Sequence, residues 1–238
     1  MCISNDSKSY SGSALLFDSL FNQEGGDHLL APTGSVRDYF RFNSYNSFDL
    51  VSTVTEWIDV PYTEKYIGNG KYGVGHSDGV FRLGMAIRAA LDIAADTINF
   101  ADFDGDNDGE IDAITIIQSG YGAEFAEEDC YTDNLPKDRI WSHKWSLGTW
   151  TDPETGTQVK DYHISPALWG SCGSNIGRIG VIAHETGHYL GLPDLYDGTG
   201  GNGVGSWCGM GNSWGFLSNQ VRIVGKTLFA IFSSPESK

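Results

Sequence analysis

Apolar positions along the chain fall into short runs whose period switches between helical and extended. Leu16, Phe17, Leu20 and Phe21 recur at three- and four-residue intervals, which predicts a short amphipathic helix. Ser35 with Asp38 forms a capping-box-like start to a second helix carrying Val36, Tyr39 and Phe40. The stretch from Leu50 to Val60 is rich in β-branched residues and reads as strand, with a bend near Thr55. Tyr66 to Gly75 is glycine-rich and reads as loop. Ser77 and Asp78 then open a long helix whose apolar stripe runs through Val80, Leu83, Ile87, Leu91, Ala94 and Ile98, a core-packing pattern with no chemistry of its own. Ile111 to Ile117 is a nearly unbroken apolar run, as expected of a strand covered on both faces. A last helix is expected from about Asn175 to Leu190. Its glycines, Gly177, Gly180 and Gly187, lower its intrinsic propensity, so packing must hold it. Alternating strands and helices favour an α/β lobe with a mixed sheet.

Length and charge narrow the function classes. A chain of 238 residues suffices for one large domain or two small lobes, and no internal repeat or low-complexity linker divides it. A formal net charge of -16 argues against a nucleic-acid partner, whose phosphates it would repel. No apolar run approaches the length of a membrane span. The opening Met1-Cys2-Ile3-Ser4-Asn5-Asp6 lacks the basic start and apolar stretch of a signal peptide. Cys2, Cys130, Cys172 and Cys208 show no Cys-x-x-Cys spacing, so a cysteine metal site is not expected. Cys130, Cys172 and Cys208 are the better candidates for a bridge, and their spacing leaves the pairing open.

The chemistry concentrates in His184-Glu185-Thr186-Gly187-His188, followed by Gly191 and Asp194. Residues four apart share one face of a helix, so the imidazoles of His184 and His188 can close on a single zinc ion. Glu185 is not needed as a ligand, which leaves it free to accept a proton from the attacking water. Gly191 falls where a left-handed residue would end the helix, and Pro193 blocks its resumption. A turn there can swing Asp194 back as third protein ligand, with the fourth position left open as in a catalytic zinc site. Asp197 is a rival on proximity, and Asp194 is preferred on spacing. Metzincin peptidases carry a longer pattern of this kind with His as the final ligand, and here Asp takes that place.

The run from Gly180 to Asp197 resembles the signature of the immune inhibitor A family of secreted metallopeptidases. Gly34-Ser35-Val36-Arg37-Asp38-Tyr39-Phe40, Ile140-Trp141-Ser142-His143, and Met210 with Ser213-Trp214 are similar to that family in the same order. The resemblance implies a zincin-type catalytic domain: a mixed twisted sheet with a backing helix, a central active-site helix and a small irregular C-terminal lobe. It implies one peptidase domain over 1–238, with lobes of about 1–191 and 192–238. The pattern fades after Gly215, and the apolar stretch Val221 to Phe232 does not follow it, so the chain is expected to be a fragment. The resemblance also implies a secreted, monomeric enzyme acting on protein or peptide substrates, and a Met-turn in which Met210 floors the metal.

A second cation is suggested by Asp104, Asp106, Asp108 and Asp112, with Gly109 placed for a sharp turn. Clustered carboxylates repel one another without a cation, and calcium favours such oxygen sets. Thr115 stands where an EF-hand would place its bidentate Glu, so the expected role is structural, joining the long helix to the strand that follows. His143 and His163 are rival metal ligands in principle and read better as satisfied histidines; His28 and His76 read as exposed. Glu124 and Glu127 lack a metal spacing. Tyr189, Tyr196 or a backbone amide could stabilise the oxyanion. No Gly-x-Ser-x-Gly elbow or phosphate loop is present. The reading is therefore a zinc endopeptidase with Glu185 as general base. The rival is a catalytically incompetent truncated homologue, serving as a metal-stabilised extracellular binding module.

Overall fold

Local signals and long-range pairing divide the work of building this chain. The computed structural model describes residues 2–4 (backbone alone), 10, 12–26, 30–75, 80–131, 134–198, 201, 203–205 and 208–211. The expected helix start at Ser77 and Asp78, the histidines His28 and His76, the Ser213-Trp214 pair and the stretch Val221 to Phe232 lie outside these residues. The architecture is mixed α/β. Its elements in order are β1 (Cys2–Ser4), α1 (Leu15–Asn22), α2 (Val36–Asn43), β2 (Asp59–Thr63), α3 (Glu64–Gly68), α4 (Arg82–Ala94), β3 (Thr115–Tyr121), β4 (His143–Thr151), β5 (Gln158–Leu168) and α5 (Ile179–Tyr189). The chain divides into two compact units: Met1–Ser13, Thr55–Gly177 and Glu185–Leu192 form one, and Ala14–Val54, Arg178–His184 and Pro193–Lys238 the other.

The first unit holds both sheets. β1 pairs with β2 in parallel, and a three-stranded mixed sheet runs in the order β3-β5-β4, with β5 parallel to β3 and antiparallel to β4. The α4 stripe turns Leu83, Ile87, Leu91 and Ala94 into a core shared with Ile116 of β3, Leu147 and Trp150 of β4, and Val159, Tyr162 and Ile164 of β5. Each fully buried side chain of that size contributes roughly 1.5–3 kcal/mol. Polar bonds fix the register of helix on sheet: Arg88 donates to the carbonyls of Leu147 and Thr149, each at 2.9 Å, and Trp150 donates to Asp92 at 2.8 Å.

In the second unit α1 packs against α2. Phe17, Leu20 and Phe21 are buried as expected, whereas Leu16 stays 44% exposed on the outer side of its helix. The capping box of α2 is formed in both directions: the Ser35 hydroxyl accepts from the Asp38 amide, and the Asp38 carboxylate accepts from the Ser35 amide. Asp38 also accepts from the amides of Gly25 and Gly26, so one carboxylate closes a loop as well as a helix.

Several sequence expectations are corrected. Of the β-branched stretch Leu50 to Val60, only Asp59 and Val60 are strand, at the start of β2. Upstream, the Ser52 backbone is occupied by the Asn22 side chain, at 2.9 and 2.7 Å, so β propensity there finds no neighbouring strand. The apolar run from Ile111 becomes strand only at Thr115, because the Asp112 amide bonds to Phe103 and the Ile111 amide to Gln158. The glycine-rich loop opens with α3, which Thr63 caps by accepting from the Tyr66 amide and which ends at left-handed Asn69. Within the described residues the long helix starts at Arg82, leaving Val80 exposed ahead of it and Ile98 packed on the core beyond its end. β4 and β5 were not among the expected elements.

Cys130 and Cys172 form a disulfide across a sequence separation of 42, tying the segment after β3 to the segment after β5. On chain-entropy grounds such a closure restricts the unfolded state by about 4 kcal/mol. Replacing both cysteines by serine is expected to lower the unfolding free energy by about 2–4 kcal/mol, read as a lower urea midpoint with a steeper slope, because the unbridged unfolded chain exposes more surface. An unaltered midpoint would contradict this account.

Candidate metal centre

The candidate site is carried by α5 and the turn that follows it. α5 begins at Ile179 and not at Asn175, because the preceding backbone is still bound to β5: Ile176 bridges Leu168, and the Gly177 amide bonds to the Ala167 carbonyl at 2.7 Å. Ile179, Val181, Ile182 and Ala183 are buried, which supplies the packing that the helix's glycines and β-branched residues fail to supply as propensity. At its end, the Gly191 amide bonds to the His188 carbonyl and the Leu192 amide to the Gly187 carbonyl, at 3.1 and 3.2 Å. With Gly191 at φ +76°, this is a Schellman stop, and a Cβ at that backbone angle would be strained.

The histidine tautomers follow from their partners. His184 donates Nδ1–H to the Gly209 carbonyl at 2.9 Å, and His188 donates Nδ1–H to the Leu192 carbonyl at 2.8 Å. A backbone carbonyl can only accept, so in the neutral rings the Nε2 atoms carry lone pairs. One continuous helix sets the two rings four residues apart, and donor atoms of His184, Glu185 and His188 all lie within 4.8 Å of one another. His184 is 2% exposed and Glu185 6%, so these groups meet little solvent.

Asp194 lies against the first ring, its Oδ1 3.1 Å from His184 Nε2. A carboxylate oxygen facing a neutral imidazole lone pair is repulsive unless a proton or a metal cation sits with them. Two donors about 2.0–2.2 Å from a tetrahedral ion would be about 3.3 Å apart, close to this separation. A divalent metal could therefore lie between the His184 nitrogen and the Asp194 oxygen; Asp194 is not part of the group that brings donor atoms of His184, Glu185 and His188 within 4.8 Å of one another. Glu185 reaches only to 4.0 Å from His188 Nε2 and keeps a carboxylate beside the cluster.

The remaining candidates separate clearly. Asp197 bonds through its amide to Gly201, and its carboxylate lies against the same glycine. Met210 is 4% exposed on a tight turn closed by the Gly211 amide and the Cys208 carbonyl, and its own carbonyl accepts from Leu195 at 2.7 Å. The Tyr196 ring stacks on His184, with centroids 6.1 Å apart. Tyr189 is withdrawn from any oxyanion role: its hydroxyl donates to the Ile114 carbonyl at 3.0 Å, and burial pushes its pKa well above the ordinary tyrosine value. His143 bonds through its two nitrogens to Trp141 and Tyr162, each at 2.7 Å, and burial lowers its pKa. His163 engages Thr115 and Ser165. Glu124 accepts from Ser142 at 2.6 Å and is raised in pKa by burial, while Glu127 accepts from Ser171.

Asp104, Asp106 and Asp108 bring one carboxylate oxygen each within 4.8 Å of the others; Asp112 is not part of that group, and its carboxylate lies beside Gly105. Asp104 accepts from the amides of Asp108 and Gly109, and Asp108 from that of Glu110, so this is a tight turn built around side-chain oxygens. The sequence offered no sign of the carbonyl partners at Gly209 and Leu192, since a backbone acceptor leaves no side-chain signature.

Known proteins resemble this chain in sequence. The chain is 33% identical over 217 residues to immune inhibitor A of Bacillus thuringiensis subsp. alesti, covering 76% of this chain and 28% of that protein. It is 31% identical over 211 residues to the pre-pro-metalloprotease PrtV of Vibrio cholerae serotype O1, covering 76% of this chain and 21% of that protein. The chain thus spans about a quarter of the length of these relatives. The family described as immune inhibitor A peptidase M6, catalytic domain, matches residues 8–225, and the chain belongs to that family of peptide hydrolases.

Proposed function

We propose that this chain is a zinc-dependent endopeptidase catalytic domain of zincin type, with α4 as backing helix and α5 as central active-site helix. His184, His188 and Asp194 are the proposed zinc ligands. The observation that carries this reading is the pair of Nδ1–H bonds to backbone carbonyls, which leaves two Nε2 lone pairs on one helical face with the Asp194 oxygen beside the first. When bound, zinc supplies Lewis acidity toward the scissile carbonyl and the attacking water. Glu185, buried on the same helix and not required as a ligand, accepts the proton of that water at its carboxylate and returns it to the departing amine. Burial keeps bulk water from competing for that carboxylate. Met210 serves as an apolar floor on its tight turn, and Gly191 provides the stop that returns the chain to Asp194.

The proposed substrates are proteins or peptides, in keeping with the family. Its resemblance to secreted relatives and the Cys130–Cys172 bridge support an oxidising, extracellular setting. No helix among the described residues is long and apolar enough to cross a membrane. We further propose that Asp104, Asp106 and Asp108, with Asp112 direct or through water, hold a structural calcium ion.

The base assignment is tested by Glu185→Ala, which is expected to retain zinc yet lose nearly all hydrolysis of a quenched peptide. His188→Ala is expected to lose both. Full turnover in the Glu185 variant would remove it as base. Stoichiometric zinc with no turnover in the unaltered chain would favour the binding-module reading. For calcium, isothermal titration of the folded chain is expected to show uptake that Asp104→Asn with Asp106→Asn abolishes; absence of uptake by the unaltered chain eliminates that site.

A further inference from the structure

Tyr189 follows His188 directly, yet its side chain leaves the metal centre and enters the sheet. The hydroxyl donates to the Ile114 carbonyl at 3.0 Å and accepts from the Ile114 amide at 3.4 Å. Ile114 immediately precedes β3, and its carbonyl also accepts the amide of His163 in β5 at 3.0 Å. The phenol is thus attached where the parallel pair β3-β5 begins. Lys144 of β4 lies over the Tyr189 ring, 5.0 Å from its centroid, and pairs with Asp161 of β5. The hydroxyl thus meets the chain entering β3, and the ring face meets Lys144 of β4, which pairs with Asp161 of β5.

His188 Nδ1 and the Schellman amides bond to Leu192, His188 and Gly187, all within the helix and its own turn. They orient the imidazole on the helix. Gly187 and Thr186 give the last turn little intrinsic helix propensity of its own. We propose that the Tyr189 hydroxyl is the positioning group that holds the His188 end of the metal-binding helix in register with the β3-β5 sheet. The proposal rests on the reading of His184, His188 and Asp194 as zinc ligands. With its hydroxyl bonded to Ile114, Tyr189 acts through the placement of His188, where a misplacement of about 1 Å can cost on the order of 100-fold in rate.

A buried phenol that merely satisfies its hydroxyl is the competing explanation, and the same core provides the control. Tyr162 is 0% exposed and bonds through its hydroxyl to His143 at 2.7 Å, without contact to α5 by that bond. Zinc affinity by chelator competition, with kcat and KM on a quenched peptide, is to be measured for the full chain and for Tyr189→Phe, Tyr162→Phe and His188→Ala. Tyr189→Phe is expected to weaken zinc about tenfold or more and to lower kcat with KM changed less than about twofold, the size found for groups that orient metal ligands. Tyr162→Phe is expected to keep zinc affinity within about twofold of the unaltered chain. Unchanged zinc affinity in Tyr189→Phe, or an equal loss in both Phe variants, overturns the positioning role. His188→Ala separates the two readings: if it loses zinc while Tyr189→Phe does not, only the positioning role fails, and if it binds zinc normally the ligand set fails first.

Discussion

Two hydrogen bonds from imidazole to backbone carbonyl constrain most of what this molecule can do. His184 gives its Nδ1 proton to Gly209 and His188 gives its own to Leu192, and a carbonyl accepts whatever the protonation state elsewhere. The main chain therefore orients both rings. That preorganisation matters because a ligand held in place by a metal alone contributes its ordering cost to every binding event. A carbonyl partner also makes the ring nitrogen opposite it more basic, which strengthens the donor.

Those carbonyls are delivered by turns. Leu192 is brought under His188 by the Schellman stop, which depends on the positive φ of Gly191. Gly209 is presented to His184 by the turn from Cys208 to Gly211, which the Leu195 amide ties to Met210 next to Asp194. The same short segments thus place a carbonyl acceptor and a candidate carboxylate ligand together, so the geometry of α5 is completed by residues outside it. On the sheet side, β5 sits between β3 and β4; the Tyr189 hydroxyl bonds to Ile114 just before β3, and Lys144 of β4 lies over its ring.

The parts of the fold legible in the sequence are those encoded by local side-chain spacing. The α2 capping box needs only Ser35 and Asp38, the α4 stripe needs Leu83, Ile87, Leu91 and Ala94, and the end of α5 needs Gly191. What failed to show was set by partners far along the chain. Val51 to Ile58 has strand-forming composition, but Asn22 occupies the Ser52 backbone. β5 carries Asp161, His163, Ser165 and Pro166, which blur any apolar run, although its place between two strands makes it the central strand. The cysteine spacing left three candidates, and only the fold selects Cys130 with Cys172. At the site, His184, Glu185, His188 and Asp194 were legible as a motif; the backbone acceptors and the inward turn of Tyr189 were not, because neither has a residue-type signature.

Two neutral imidazoles and one carboxylate are proposed to gather on a single zinc ion. Zinc K-edge absorption on the zinc-loaded chain measures this directly. The account predicts a first shell of nitrogen and oxygen at about 2.0–2.2 Å, with outer-shell scattering from two imidazoles and no sulfur. A sulfur shell near 2.3 Å, or scattering from three imidazoles or from only one, would contradict it.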